Sequence, residues 1–205
     1  MWRFLRSLFR YSHPLDAANL SDKARDIVFR VMEEDDISTC MSFYRANEAA
    51  HFPPGLAARY EAKLRGREFL TLMAMRNDQP VGCCGIHHTT SIEGIPVACF
   101  CFGMITPVHQ RTGVGTAQVL VRLALLSTTD DVAVAAMWAV PGSVSFYRRF
   151  GFDFSSEMPA ADGNTYPFGL LKVSQSFIDD CRVILARRNI IYPDVRASIP
   201  DRKPG

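Results

Sequence analysis

The spacing of apolar positions changes several times along the chain, and each change marks an element. Residues 27–32 (I-V-F-R-V-M) alternate as a first strand. Residues 33–36 then supply carboxylates, which favour the positive end of a helix, and Ile37, Met41 and Tyr44 share one helical face, predicting a helix to about Ala50. Pro53, Pro54 and Gly55 break it ahead of a second short helix over 56–64. Strand-like runs follow at 68–75, 81–89 and 96–106, separated by a polar turn at 76–79 and by Glu93-Gly94. Connections this short predict antiparallel pairing.

After Gly115 the period turns helical: Val119, Leu120, Leu123 and Leu126 recur on one side, with Arg122 between them, and Asp130-Asp131 is the expected end. Residues 132–140 are a continuous apolar run, as in a strand buried on both faces. Pro141-Gly142-Ser143 punctuates, 143–150 reads as one short helix, and Gly151 stands where a left-handed cap is wanted. Runs at 152–154 and 165–173 give two last strands, before a helix over 176–188 and a proline-interrupted tail. The fold class is α/β (α+β), with a mixed, mostly antiparallel central sheet and helices on both faces. The expected division is an N-terminal extension over 1–26 (with 12–26 as linker), a domain over 27–173, and a C-terminal helical extension and tail over 174–205. The last helix either covers a substrate site or joins two subunits, so a homodimer stays open.

A chain of 205 residues suits one sizeable core, and 48% hydrophobic with 21% charged residues is an ordinary globular balance. A net charge of +2 lacks the concentrated basic face of a nucleic-acid binder, so no nucleic-acid partner is expected. The six cysteines (40, 83, 84, 99, 101 and 181) form no C-x-x-C pair. Cys99 and Cys101 with His87 and His88 could be imagined around a metal. Buried reduced thiols in a cytoplasmic protein without a metal are the preferred reading. No apolar run approaches the roughly 20 residues that span a bilayer. At the N-terminus Arg3, Arg6 and Arg10 interrupt Trp2, Phe4, Leu5, Leu8 and Phe9. That pattern fits a basic amphipathic helix on a membrane, but a docking helix or frayed terminus is preferred.

The chemistry concentrates in residues 105–116, Ile-Thr-Pro-Val-His-Gln-Arg-Thr-Gly-Val-Gly-Thr. A strand ends near Pro107, a tight loop follows, and a helix opens at about Val114. Such a loop aims several main-chain N–H groups at one point, with the helix dipole behind them, and an anion such as a pyrophosphate belongs there. Gly113 and Gly115 would let the backbone approach that anion closely. The segment lacks the Lys-Ser/Thr of a P-loop, and Gln118 stands where a dinucleotide fingerprint needs its third glycine. Further on, Ser143 to Phe152 contains F-Y-R-R-F-G-F.

Together, Gln110-x-x-Gly113-x-Gly115 and the tyrosine helix ending in Gly-Phe resemble the acyl-CoA loop and the later motif of the GNAT N-acetyltransferase superfamily, over roughly residues 27–173. The resemblance implies a GNAT-like sheet and acetyl-CoA as acyl donor. It implies main-chain groups near Gly103 and Ile105 pairing with pantetheine. It also implies Gln110, Arg111, Thr112, Gly113, Val114, Gly115 and Thr116 around the pyrophosphate, and Tyr147 as general acid to the CoA thiolate. The chain departs from the family at Val140, where asparagine is frequent. The chemistry is consistent with that role: a thiolate leaves more readily when a nearby phenol shares its proton.

The acceptor implied is an amine of a small molecule or peptide. For its general base, His87, His88, Glu48 and His51 are weak candidates, with water-relayed deprotonation as the alternative. Two other readings stay open: a catalytically silent CoA-binding sensor or interaction module, and an unrelated phosphate-binding α/β protein. The strands ending at Ile105 and near Val140 are expected to splay apart and admit the pantetheine.

Overall fold

A computed structural model describes residues 20–52, 55–92, 95–159 and 163–201; the side chains of 49–51, 90–92 and 95–96 fall outside that description, as do residues 1–19 with the basic N-terminal pattern. In chain order the elements are β1 (Ile27–Val31), α1 (Ile37–His51), α2 (Leu56–Arg65), β2 (Leu70–Arg76), β3 (Gln79–Ile92) and β4 (Ile95–Ile105). Then come α3 (Val114–Ala124), β5 (Ala133–Trp138), α4 (Val144–Arg148), β6 (Asp153–Pro159), β7 (Thr165–Val173), α5 (Gln175–Arg187) and β8 (Ile190–Ile191).

The strands form one sheet in the order β6-β7-β5-β4-β3-β2-β1-β8. Pairing is antiparallel except between β4 and β5 and between β1 and β8. The β2–β3 hairpin turns through Asn77 and Asp78, both left-handed at φ 50° and 58°, which suits the twist of a two-residue connection. The valine- and alanine-rich β5 is buried on both faces up to Trp138, as its unbroken apolar run requires.

Helices cover both faces. On one side α3 and α5 pack over Ile86, Ala98, Phe100 and Ala135. On the other, α1 and α2 pack over Met73, Cys83 and Met104. Every residue of α3 except Gly115 is buried, because the sheet lies under it and α5 lies beside it. Phe177, Ile178, Cys181 and Leu185 form the buried stripe of α5. Its Arg182 donates to the Ala124 carbonyl from Nε and Nη2 at 3.2 and 3.0 Å, satisfying an orphan acceptor at the C-terminus of α3. The last helix therefore belongs to the main core.

Several sequence expectations shift. The helix expected to reach Asp130-Asp131 stops at Ala124; Leu125 and Leu126 stay buried beyond it, while Asp130 and Asp131 take left-handed angles in a turn. The strand read over 152–154 extends through Pro159, its alternating half-exposure weakening the apolar signal. The part of the expected linker that is described, residues 20–26, is packed rather than free: Leu20 and Ala24 are buried, and Arg188 Nη1 donates to the Ser21 carbonyl at 2.7 Å.

Candidate active site

The site begins with a fault in the sheet. Cys83 pairs with Met104 but Gly85 pairs with Cys101, so Phe102 and Gly103 together stand opposite Cys84 and β4 carries one extra residue. Phe102 takes φ 45°, an angle that bulky residues avoid, and its ring is held against Tyr60 and Phe69 at 4.4 and 5.3 Å between centroids. On its other edge β4 pairs with β5 only from Val97 to Cys99. Beyond that point the strands part, as expected from the sequence, while β5 stays paired with β7 as far as Trp138 and Phe168. Gly103 lies exposed on the wall of the opening.

The loop after β4 leads from this opening to α3. A 3-10 turn over Pro107–His109 reverses the chain, Arg111 is left-handed at φ 60°, and Gly113 at φ 89° starts the helix. Among the described residues, the N–H groups of 111–116 donate to no main-chain carbonyl. Arg111 is exposed and Thr116 is buried. Thr112 is fixed at both ends: its hydroxyl donates to the His109 carbonyl at 2.6 Å, and its carbonyl accepts from Arg76 at 3.2 Å. Asn47 on α1 donates to the Ile105 carbonyl at 3.1 Å, and its own Oδ1 accepts from Gln110 at 3.5 Å. Part of the Ile105 main chain is therefore already engaged inside the protein.

The space beside the two loop glycines is filled by protein. A Cβ at Gly113 would lie 2.3 Å from the Ala24 nitrogen, so the missing side chain admits residues 23–24 rather than a ligand. One at Gly115 would meet Ile105 and Phe146 at 3.2 and 3.4 Å. Both glycines shape the loop by what packs against them.

Tyr147 sits half-buried on α4, edge-on to Phe146 and Phe152 at 4.9 and 5.9 Å. Its hydroxyl lies 3.5 Å from the point where Gly103 would carry a Cβ, and Arg122 Nη2 lies 3.4 Å from the same point. The phenol thus reaches the β4 bulge at the mouth of the opening, with the free amides of the glycine loop further along the same strand–loop–helix path.

The histidine candidates that are described, His87 and His88, are not gathered there. His87 is buried, pairs across from Cys99 upstream of the bulge, and has Nδ1 4.0 Å from Cys101 Sγ. His88 lies on the opposite face of β3, and its N–H donates to the Pro200 carbonyl in the C-terminal segment. Glu48 is half-buried near Tyr44, whose hydroxyl burial pushes up to about 12, with the Glu48 charge adding to the effect. The side chain of His51 lies outside the described residues. Among the described residues no group of three or more His, Cys, Asp and Glu side chains could hold a metal, and no helix is long and apolar enough to cross a membrane.

No family model matches the chain, and no curated protein matches it significantly in sequence. Solved structures do. Aminoglycoside acetyltransferase AAC(6')-Ib in complex with coenzyme A and kanamycin superposes with a TM-score of 0.58 at 16% identity, covering 76% of this chain and 99% of that one. The fold is that of the GNAT acetyltransferases. A structure described as a GNAT-family acetyltransferase from Desulfovibrio desulfuricans gives 0.54 at 16% identity, over 72% and 98% of the two chains. N-acetylglutamate synthase from Neisseria gonorrhoeae, complexed with coenzyme A and L-arginine, gives 0.51 at 11% identity over 73% of this chain and 34% of that one.

Four residues that brace this candidate site escaped the sequence reading. Gln118 Nε2 donates to the Cys83 and Met104 carbonyls, both at 3.0 Å, and ties α3 to the bulge. Arg76 joins the Thr112 carbonyl to those of Lys23 and Arg25. Asn47 links α1 to the end of β4. Arg122 is a fully buried cation. Gln118 and Arg122 did leave a signal: both interrupt a helix whose other residues are apolar almost all round.

Proposed function

We propose that the protein is an N-acetyltransferase moving an acetyl group from acetyl-CoA to the amine of a small molecule or peptide by direct attack. The observation that carries this reading is the Tyr147 hydroxyl beside Gly103, at the point where β4 bulges and leaves β5. The amides of Arg111, Thr112, Gly113, Val114, Gly115 and Thr116, with no main-chain partners among the described residues, would receive the pyrophosphate, with the dipole of α3 adding its attraction. The exposed main chain of Gly103 would pair with the pantetheine arm as an added strand pairs along an open sheet edge, while the N–H side of Ile105 serves better than its engaged carbonyl.

Attack by the amine collapses a tetrahedral intermediate and expels a thiolate. Tyr147 donates its proton to that sulfur, a contribution of on the order of 10² to 10⁴ in rate. No side chain is assigned as base; water carries the amine proton away. The fold neighbours in complex with coenzyme A and kanamycin support an amine acceptor of this general kind. The six cysteines, none of them in a disulfide, suit work in the cytoplasm, where they stay reduced.

A second reading, a silent CoA-binding module, is favoured by Val140, whose apolar side chain cannot supply an amide contact to the cofactor, and by the scattered bases. Thiol release from acetyl-CoA across a panel of primary amines decides between them. Turnover with any amine supports the transferase; tight CoA binding without turnover supports the module. Failure to bind CoA removes both.

A further inference from the structure

Arg122 is 1% exposed, yet no carboxylate pairs with it among the described residues. Its Nε donates to the Gln118 carbonyl at 3.0 Å, one turn back on α3, and Phe100 lies against its guanidinium carbon at 4.5 Å from the ring centre. Neither contact neutralises the charge, and Nη1 and Nη2 meet no acceptor among the described residues. A buried cation without a counter-ion is unfavourable unless an anion is destined for it. Nη2 points at the bulge: it is 3.4 Å from the Cβ position of Gly103, and the Tyr147 hydroxyl is 3.5 Å from that same position. Gln118 Oε1 lies 3.7 Å from the same point, and Gly103 puts no side chain of its own between the guanidinium and the opening beside β4.

We infer that Arg122 is the electrostatic partner of the CoA sulfur, favouring the thiolate that acyl transfer leaves behind. This rests on the acyl-CoA reading of the same opening. In the transfer, the amine nitrogen bonds to the acyl carbon, the carbon–sulfur bond breaks, and its electron pair goes to sulfur. The guanidinium offsets that charge until Tyr147 hands over its hydroxyl proton. The phenoxide then regains a proton from the attacking nitrogen through water. Arg122 itself gains and loses none.

The titratable groups within reach of Arg122 are Cys84 on β3, Cys101 on β4 and Tyr147 on α4, with His87 beyond Cys101. Burial pushes the Cys84 thiol up to about 11 while the guanidinium pulls it down, and burial holds Cys101 well above the ordinary range against the same pull. The charge is therefore felt by sulfur on both central strands.

The test is calorimetric titration of the full chain with CoA and with desulfo-CoA, which lacks the thiol, from about pH 6 to about pH 10, a window that extends past the cysteine reference of about 8.5 because the alkyl thiol of CoA is the weaker acid. A site that prefers thiolate binds CoA more tightly as pH rises through the bound thiol's pKa, and the gain levels off above the free one. The expected result is that the advantage of CoA over desulfo-CoA grows ~tenfold across the window in the wild type, the equivalent of one pH unit. Tyr147→Phe and Arg122→Lys, which keep the cation, retain the rise. Arg122→Met, which keeps the volume and loses the charge, flattens it. A flat wild-type ratio overturns the inference even if the methionine variant fails to fold, and so does a rise that survives in Arg122→Met. If neither ligand binds, the acyl-CoA reading itself falls.

Discussion

Replacing Gly113 by alanine tests how the glycine loop is held. Gly113 sits at φ 89°, where an L-residue with a side chain costs about 1–2 kcal/mol. A Cβ there would also lie 2.3 Å from the Ala24 nitrogen and 2.4 Å from the Lys23 carbonyl carbon. Both are main-chain atoms, so no rotamer relieves the contact and residues 20–25 must move. Moving them withdraws Leu20 and Ala24 from the core, where they are 4% and 0% exposed. Re-exposing a leucine side chain costs about 1.5–3 kcal/mol, which brings the loss for Gly113→Ala to about 2.5–5 kcal/mol. Gly115→Ala is the control. Its Cβ would meet only the tips of Ile105 and Phe146, which can give, and alanine's better helix propensity offsets part of the crowding. Its stability should stay within about 1 kcal/mol of the wild type. Urea unfolding followed by far-UV circular dichroism measures both, and a CoA titration at a concentration of urea where each is folded reports the loop. A loss under about 1 kcal/mol at Gly113, or equal losses at the two glycines, refutes the claim that the loop rests on the segment before β1.

Tyr147→Phe should keep its stability, because the hydroxyl bonds to no described residue, and lose about 10²-fold or more in kcat with little change in KM for acetyl-CoA; steady-state thiol release measures it. Gly103→Leu should fold normally, since the position is exposed, but fill the space before Arg122 and Tyr147 and abolish CoA binding by calorimetry. Asn47→Ala leaves the Ile105 carbonyl without its side-chain donor and should cost about 1–3 kcal/mol in urea unfolding, with a raised KM for acetyl-CoA as the end of β4 loosens. Arg30 grips Asp36 with two hydrogen bonds of 2.5 and 2.7 Å, which holds that carboxyl below the usual range. A depressed carboxylate stabilises above its unfolded pKa and loses that contribution as pH falls through its folded one. Asp36→Asn should therefore cost about 1 kcal/mol at pH 7 and progressively less in acid, read by unfolding at both pH values.

The order of elements was legible because their periods differ: alternation in β1, three-and-four spacing in α1 and α3, and an unbroken apolar run in β5. The tyrosine helix and its left-handed Gly151 were readable for the same reason, as local sequence sets local geometry. What escaped depended on contacts between distant parts of the chain. The two-residue β8 carries no pattern of its own and exists because β1 offers it an edge. Residues 20–26 read as linker because their anchoring comes from Arg76, Gly113 and Arg188, none of them near in sequence. In the candidate site, the glycine spacing after a strand pointed to an anion loop, and the phenol was singled out by the resemblance to the GNAT motif. The bulge at Phe102 and Gly103 was not, because an extra residue in a strand shows only against its partner's register. Spacing calls for a glycine at 113, but only the packed chain reveals that Lys23 and Ala24 fill the space a side chain would take.

The brace beneath the glycine turn has a bearing on how the molecule is made. Ser21 and Asp26 are held by Arg188 and Asn189, so the floor under Gly113 is locked by residues far downstream of it in sequence. On the ribosome, the turn and its helix emerge well before that lock. A nascent chain halted short of Arg188 would display the glycine turn without this support below it, and the turn would be braced only once Arg188 and Asn189 had been made.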